Sequence, residues 1–158
     1  MPRTFFLATT LLATTSALAQ SNTSPTIHTA ADLQQLEAKT TEAAQKSPTG
    51  VSLSPIDDFG TYNSILVVRV KTGDSERHQF WADQMIVNKG TITLVTGGSM
   101  VGEHLVPNQP GETRGSAIKG GEEVVLHAGD VVHIPANVPH WDKIAPGTTT
   151  TYLIFKEK

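Results

Sequence analysis

The chain contains no cysteine. Disulfides, a thiolate nucleophile and thiolate zinc sites are excluded together, so any metal must be held by imidazole nitrogen and by oxygen. A large excess of charge of one sign is also missing. The net charge is only −3 and no basic cluster occurs, so nucleic-acid binding has no electrostatic support. No apolar run reaches the about 20 residues that a membrane-spanning helix needs. A Ser-His-Asp order, a P-loop and a GxGxxG are absent as well. What the chain does have is 13 glycines and 9 prolines, punctuation that favours many short strands and turns. It also has 6 histidines, which are good metal ligands and proton carriers.

The 158 residues suit one domain. The N-terminus reads as a secretory signal peptide: Arg3 supplies the positive start, Phe5 to Ala13 a short apolar core, and Ala17-Leu18-Ala19 an A-x-A site. Cleavage is expected after Ala19, giving a mature protein of net charge −4 in the periplasm or outside the cell. The expected organisation is a signal peptide over 1–19, a tail and helix over 20–59, and a barrel over 60–158. The helix is placed at about 30–46. Thr29 with Asp32 makes a capping-box start, and Leu33, Leu36, Ala43 and Ala44 form an apolar stripe too thin for a buried helix.

After Gly50 the hydrophobic period changes from helix to strand. TYNSILVVRV (61–70) is β-branched and apolar. DQMIVNKG (83–90) and TITLVTGG (91–98) read as two strands of a hairpin turning at Lys89-Gly90. EEVVLHAGDVVHIPA (122–136) holds two short strands split at Ala128-Gly129-Asp130, and TTTTYLIFKEK (148–158) is a terminal strand. Between them, 97–121 carries seven glycines and two prolines in 25 residues and reads as a long excursion over one end of the barrel. Short strands at this spacing imply a sandwich or a barrel.

The segment Gly129 to His140, GDVVHIPANVPH, resembles the second motif of the cupin superfamily, G-x5-P-x-G-x2-H-x3-N. Gly129, Pro135 and His140 fall on marked positions. Asn137 stands where glycine is usual, and both tolerate positive φ in a tight turn. Ile144 replaces the usual asparagine. The first cupin motif, G-x5-H-x-H followed by E-x6-G, is matched imperfectly by GDSERHQFWADQMIVNKG (73–90). Counting back from Gly90, Asp83 takes the glutamate position, His78 the second histidine and Glu76 the first. In a second register His78 is the first histidine, Phe80 the second and Gln84 the acid.

The resemblance implies an all-β fold, a single cupin barrel (double-stranded β-helix or jelly roll) preceded by a short helix, often dimeric, with a metal inside. The expected ligands are His78, Asp83 and His140, with Glu76 as a fourth. Such a set suits a divalent transition metal, manganese, iron or zinc, with positions open for a ligand. Residues 76, 78 and 80 share one face of a strand. Phe80, Gln84, His133, Trp141 and Arg114 are the candidates for the substrate pocket, His133 as an acid–base group and Arg114 as a clamp on a substrate carboxylate. Trp81 and Tyr152 complete the aromatic stock of the core. The function expected is an exported metalloenzyme converting a small molecule, of dioxygenase, isomerase or lyase type. The alternative is a non-catalytic barrel that holds a small ligand such as a sugar. A homodimer is the expected assembly.

Overall fold

The computed structural model describes residues 24–158; the signal peptide expected over 1–19 lies outside the described residues. The first element is helix α1 (Ala30–Lys46). Its start follows from local chemistry: Asp32 N–H donates to Thr29 Oγ1 at 3.2 Å, and Thr29 N–H donates back to the Asp32 carboxylate at 2.9 Å. This is the reciprocal capping box that the sequence announces. Thr40 and Ala44 are its buried residues, while Ala43 is exposed.

Strands β1 (Val51–Asp58), β2 (Tyr62–Arg69), β3 (Ser75–His78), β4 (Ala82–Lys89) and β5 (Thr91–Thr96) follow. Next come β6 (Ser99–Val101), β7 (His104–Leu105), β8 (Glu112–Gly115) and β9 (Ala117–Lys119). The chain closes with β10 (Glu122–His127), β11 (Val131–Ile134), β12 (His140–Lys143) and β13 (Thr150–Glu157). They form a five-stranded sheet in the order β1-β2-β13-β4-β11 and a six-stranded sheet in the order β10-β5-β12-β3-β8-β7. A two-stranded ribbon, β6-β9, stands apart. The sheet therefore begins at Val51, ahead of the boundary expected at 60.

The hairpin expected at Lys89-Gly90 does not form. Strand β4 already lies between β13 and β11, and β5 between β10 and β12, so neither has a free edge for the other. Gly90, at φ 81°, instead turns the chain from one sheet to the other. Gly129, at φ 97°, does the same between β10 and β11. From β2 to β5 and again from β10 to β13 the chain alternates between the two sheets, which is how short strands close into a barrel.

Period-two alternation divides the interior. On β2, Ile65, Val67 and Arg69 face the cavity, while Leu66 and Val68 are buried on the opposite face, where α1 packs. Val87, Ile92, Leu94, Leu126, Ile134 and Ile144 belong to one buried apolar cluster with Val67, Met85, Tyr152 and Ile154. Each such burial contributes about 1.5–3 kcal/mol. The last four also line the cavity, so the apolar core forms part of the site wall.

Candidate metal centre and ligand cavity

A cavity of about 530 Å³ lies between the two sheets, within the 300–1,000 Å³ range usual for ligand sites. Its polar side chains meet through strand register. On β3, Glu76 and His78 point the same way. Glu76 is directly opposite His140 of β12 on one side and Arg114 of β8 on the other. His78 is opposite Glu112 of β8. In the facing sheet, Asp83 of β4 is opposite Lys156 of β13.

Four groups converge from these strands. Glu76, His78 and His140 each offer one donor atom within 4.8 Å of the others'. His78 Nε2 lies 3.6 Å from Glu76 Oε2 and 3.4 Å from Asp83 Oδ2, and His140 Nε2 lies 3.9 Å from the same Asp83 oxygen. The far nitrogen of each ring is tied back. His78 Nδ1–H donates to Glu112 Oε2 at 2.6 Å, and His140 Nδ1–H donates to the Val138 carbonyl at 3.1 Å. The turn that carries His140 is itself anchored: Asn137 takes φ 65°, and its N–H donates to the His78 carbonyl at 2.7 Å.

Three cations are threaded among the acids. Arg69, 3% exposed, donates through Nε to Tyr152 Oη at 2.6 Å and through an Nη to Glu76 Oε1 at 2.9 Å. Tyr152 Oη–H donates in turn to Asp142 Oδ2 at 2.7 Å. Arg114 lies 3.4 Å from Glu76 Oε2 and 3.3 Å from Glu112 Oε2, and Lys156 donates to Asp83 Oδ1.

These neighbours set the protonation of the groups. Burial disfavours the charged form of Glu76, but Arg69, Arg114 and the two histidines outweigh it and hold the carboxyl at about 2. Burial likewise works against the His78 imidazolium, yet hydrogen bonds to Asp83 and Glu112 raise it to about 9. Asp83 is lowered despite burial, by His78 and Lys156, and Glu112 despite burial, by His78 and Arg114. Tyr152 is raised well above the usual phenol, chiefly by burial.

The donors fit a divalent metal. Ligand atoms about 2.0–2.2 Å from one ion lie roughly 3–4 Å apart, and His78 stands at that spacing from Glu76 and Asp83, as His140 does from Asp83. A ligating histidine characteristically donates its second N–H to a carboxylate or a carbonyl, which fixes the tautomer. His78 and His140 show one of each. Imidazole with carboxylate suits manganese, iron or zinc.

The cavity includes Arg114 but not the other pocket candidates. Gln84 alternates with Asp83 and Met85 and so faces outward, beside His133 and Phe155. Asp83, which faces inward, is 2% exposed. The register that makes Gln84 and Phe80 the site groups therefore does not match the geometry. Phe80 is 51% exposed and lies over Gly111. His133 is exposed on β11. Trp141 alternates with His140 and Asp142, and its indole N–H donates to the Gly73 carbonyl at 2.7 Å. His104 is exposed on β7.

Sequence reasoning missed Glu112, Asp142, Arg69 and Lys156. Three had a signal: Asp142 follows His140, and Glu112 precedes Arg114, by the strand period of two, and Arg69 is a single charge closing an apolar β-branched run. Lys156 had none, because its place depends on how β13 pairs with β4. The excursion at 97–121 is more than a loop: through β7 and β8 it joins the six-stranded sheet and supplies Glu112 and Arg114.

No protein-family profile matches this chain, and no curated protein matches it. Solved structures do. Oxalate oxidase superposes with a TM-score of 0.50 at 15% identity, over 71% of this chain and 53% of that one. This chain thus spans about half the length of the oxalate oxidase it matches. Peruvianin-I, a cysteine peptidase of Thevetia peruviana latex, superposes with a TM-score of 0.50 at 10% identity, over 71% and 64%. A sugar phosphate isomerase of the cupin superfamily from Silicibacter pomeroyi overlays at 0.48 with 17% identity, over 75% and 64%. The two overlays at 0.50 show the fold alone: the chain folds as a cupin barrel with one short helix. They do not carry activity: this chain has no cysteine, so cysteine-peptidase chemistry stays with Peruvianin-I.

Proposed function

We propose that the barrel is the site of a metal-dependent enzyme acting on a small molecule, with Glu76, His78, Asp83 and His140 as ligands. The observation that carries this reading is the paired restraint of the two histidines. Each Nδ1 is engaged, by Glu112 and by the Val138 carbonyl, which turns each Nε2 toward the shared carboxylates. A bound divalent metal would supply Lewis-acid or redox chemistry at positions the four side chains leave open. Arg69 orients Glu76 and keeps it ionised. Lys156 does the same for Asp83. The apolar side chains of Val67, Met85 and Ile154 exclude water from that part of the wall. Dioxygenation, isomerisation and lyase chemistry are the reaction classes we retain. Export through a signal peptide cleaved after Ala19 is part of the same proposal, supported by the Arg3, Phe5–Ala13 and Ala17–Ala19 pattern.

A second reading is supported by a different observation. Arg69 and Arg114 pair with Glu76 and Lys156 pairs with Asp83, an arrangement that also suits a ligand-binding module with no metal. Metal content by mass spectrometry separates the two. The protein is purified without chelator or histidine tag, beside His78→Ala and His140→Ala. Near one transition metal per chain, lost in both variants, supports the enzyme. A chain that stays empty after reconstitution leaves the binding module.

A further inference from the structure

We infer that the substrate is an organic carboxylate with an apolar body, that Arg114 receives its carboxylate, and that this binding is coupled to metal loading. The inference rests on the metal-centre reading above and deepens it. Its first support is the asymmetry of the cavity walls. The sheet of β1, β2, β13 and β4 contributes every apolar strand residue of the cavity, among them Val51, Ile65, Val67 and Ile154, beside Arg69, Asp83 and Lys156. The opposite sheet contributes Glu76, His78, Glu112, Arg114, His140 and Asp142. A ligand between them meets strand hydrocarbon from the first sheet alone, and a wholly polar dianion would leave it unused.

The second support is the state of the three cations. Arg69 is closed in by Tyr152, Glu76 and Asp142. Lys156 is hydrogen-bonded to Asp83, with 13% of its side chain exposed. Arg114 is different: 26% of its side chain is exposed, and its hydrogen bonds among the described residues all leave from one Nη. Its second Nη sits 3.4 Å from Glu76 Oε2 without a hydrogen bond. A guanidinium that lines a cavity with Nε and one Nη free of hydrogen bonds matches a carboxylate better than any neutral group.

The third support links the two sites. Glu76 Oε2 lies 3.6 Å from His78 Nε2 and is also the counter-charge of Arg114. An ion that takes Glu76 as a ligand draws on the charge that now balances Arg114. A carboxylate from the substrate restores that balance, so ion and carboxylate strengthen each other's binding, reciprocally.

The test is calorimetric binding of hexanoate and benzoate to the full chain, with and without zinc, which is redox-silent. Hexanol, benzyl alcohol and inorganic phosphate are the comparison ligands. We expect both carboxylates to bind the zinc-loaded chain at least tenfold more tightly than the metal-free chain, and more tightly than the alcohols or phosphate. Arg114→Gln should weaken carboxylate binding by roughly ten- to a hundredfold. It should keep the zinc stoichiometry and a cooperative melt, and Arg114→Lys should fall between. Equal binding of the alcohols, preference for phosphate, or no effect of Arg114→Gln overturns the inference. So does a chain that loads one zinc and binds neither carboxylate, in which case the metal centre stands and only the substrate class falls. A chain that takes no zinc overturns both.

Discussion

The Nδ1 atom of His78 lies 2.6 Å from the carboxylate of Glu112, which reaches it across the β3–β8 pairing. The bond places a residue of the glycine-rich segment directly behind a candidate metal ligand. It also fixes which ring nitrogen is left for the cavity.

Glu112→Gln tests that relationship. The amide keeps the shape but loses the charge that raises the basicity of the ring. Losing such a partner typically costs 10–100-fold in metal affinity. Competition against a chromophoric chelator should show that drop with one ion per chain still bound at saturation. An unchanged affinity would remove Glu112 from the centre.

The metal-free protein should be most stable between about pH 4.5 and 6.5. His78 is raised from 6.5 to about 9, so its contribution is complete below 6.5 and disappears as the pH climbs through 9. The corresponding loss is about 3 kcal/mol. Glu76 is lowered from 4.5 to about 2, so its contribution is complete above 4.5 and disappears as the pH falls through 2. Urea denaturation across this range should trace both flanks. His78→Gln should flatten the alkaline one. Because an ion must displace the His78 proton, metal affinity should rise over the same alkaline window.

Arg69→Met should destabilise the fold by about 3–5 kcal/mol, because it strands Glu76 and Asp142 without their buried partner. Tyr152→Phe, which removes the hydroxyl between Arg69 and Asp142, should cost about 1–3 kcal/mol. Denaturant midpoints of the metal-free variants check both. A loss below 1 kcal/mol for Arg69→Met would show that the acids find other partners.

Asn137 sits at φ 65°, in the left-handed region. Asn137→Gly should be neutral or slightly stabilising. Asn137→Ala should cost about 1 kcal/mol, since a Cβ without a local hydrogen bond is disfavoured there. The cost should also reach the ion: the turn aims His140, so Asn137→Ala should weaken metal binding more than Asn137→Gly. Equal affinities would separate the turn from the centre.

Much of this molecule was legible as sequence because the deciding physics is local. The capping box at Thr29 and Asp32 needs only four residues of backbone. The turn over Pro135 to His140 needs a residue tolerant of positive φ, and Asn137 is one. Most of the strands showed in their β-branched content, and the convergence of His78, Asp83 and His140 followed from the resemblance to the cupin motifs.

The partners of those residues were decided by pairing between distant strands. Nothing near Lys89-Gly90 says whether β5 folds back on β4 or crosses to the other sheet. That depends on β13 and β11 filling the edges of β4. Glu112 meets His78, Arg114 meets Glu76, and Lys156 meets Asp83 only once β8 and β13 have taken their registers. A one-residue slip in any of them would turn these charges to the outer face and bring others in. The sequence by itself determined which short segments become turns and strands and which residues have the chemistry of ligands. The tertiary structure alone decided which charges surround them, because register is set by the whole barrel and not by any one strand.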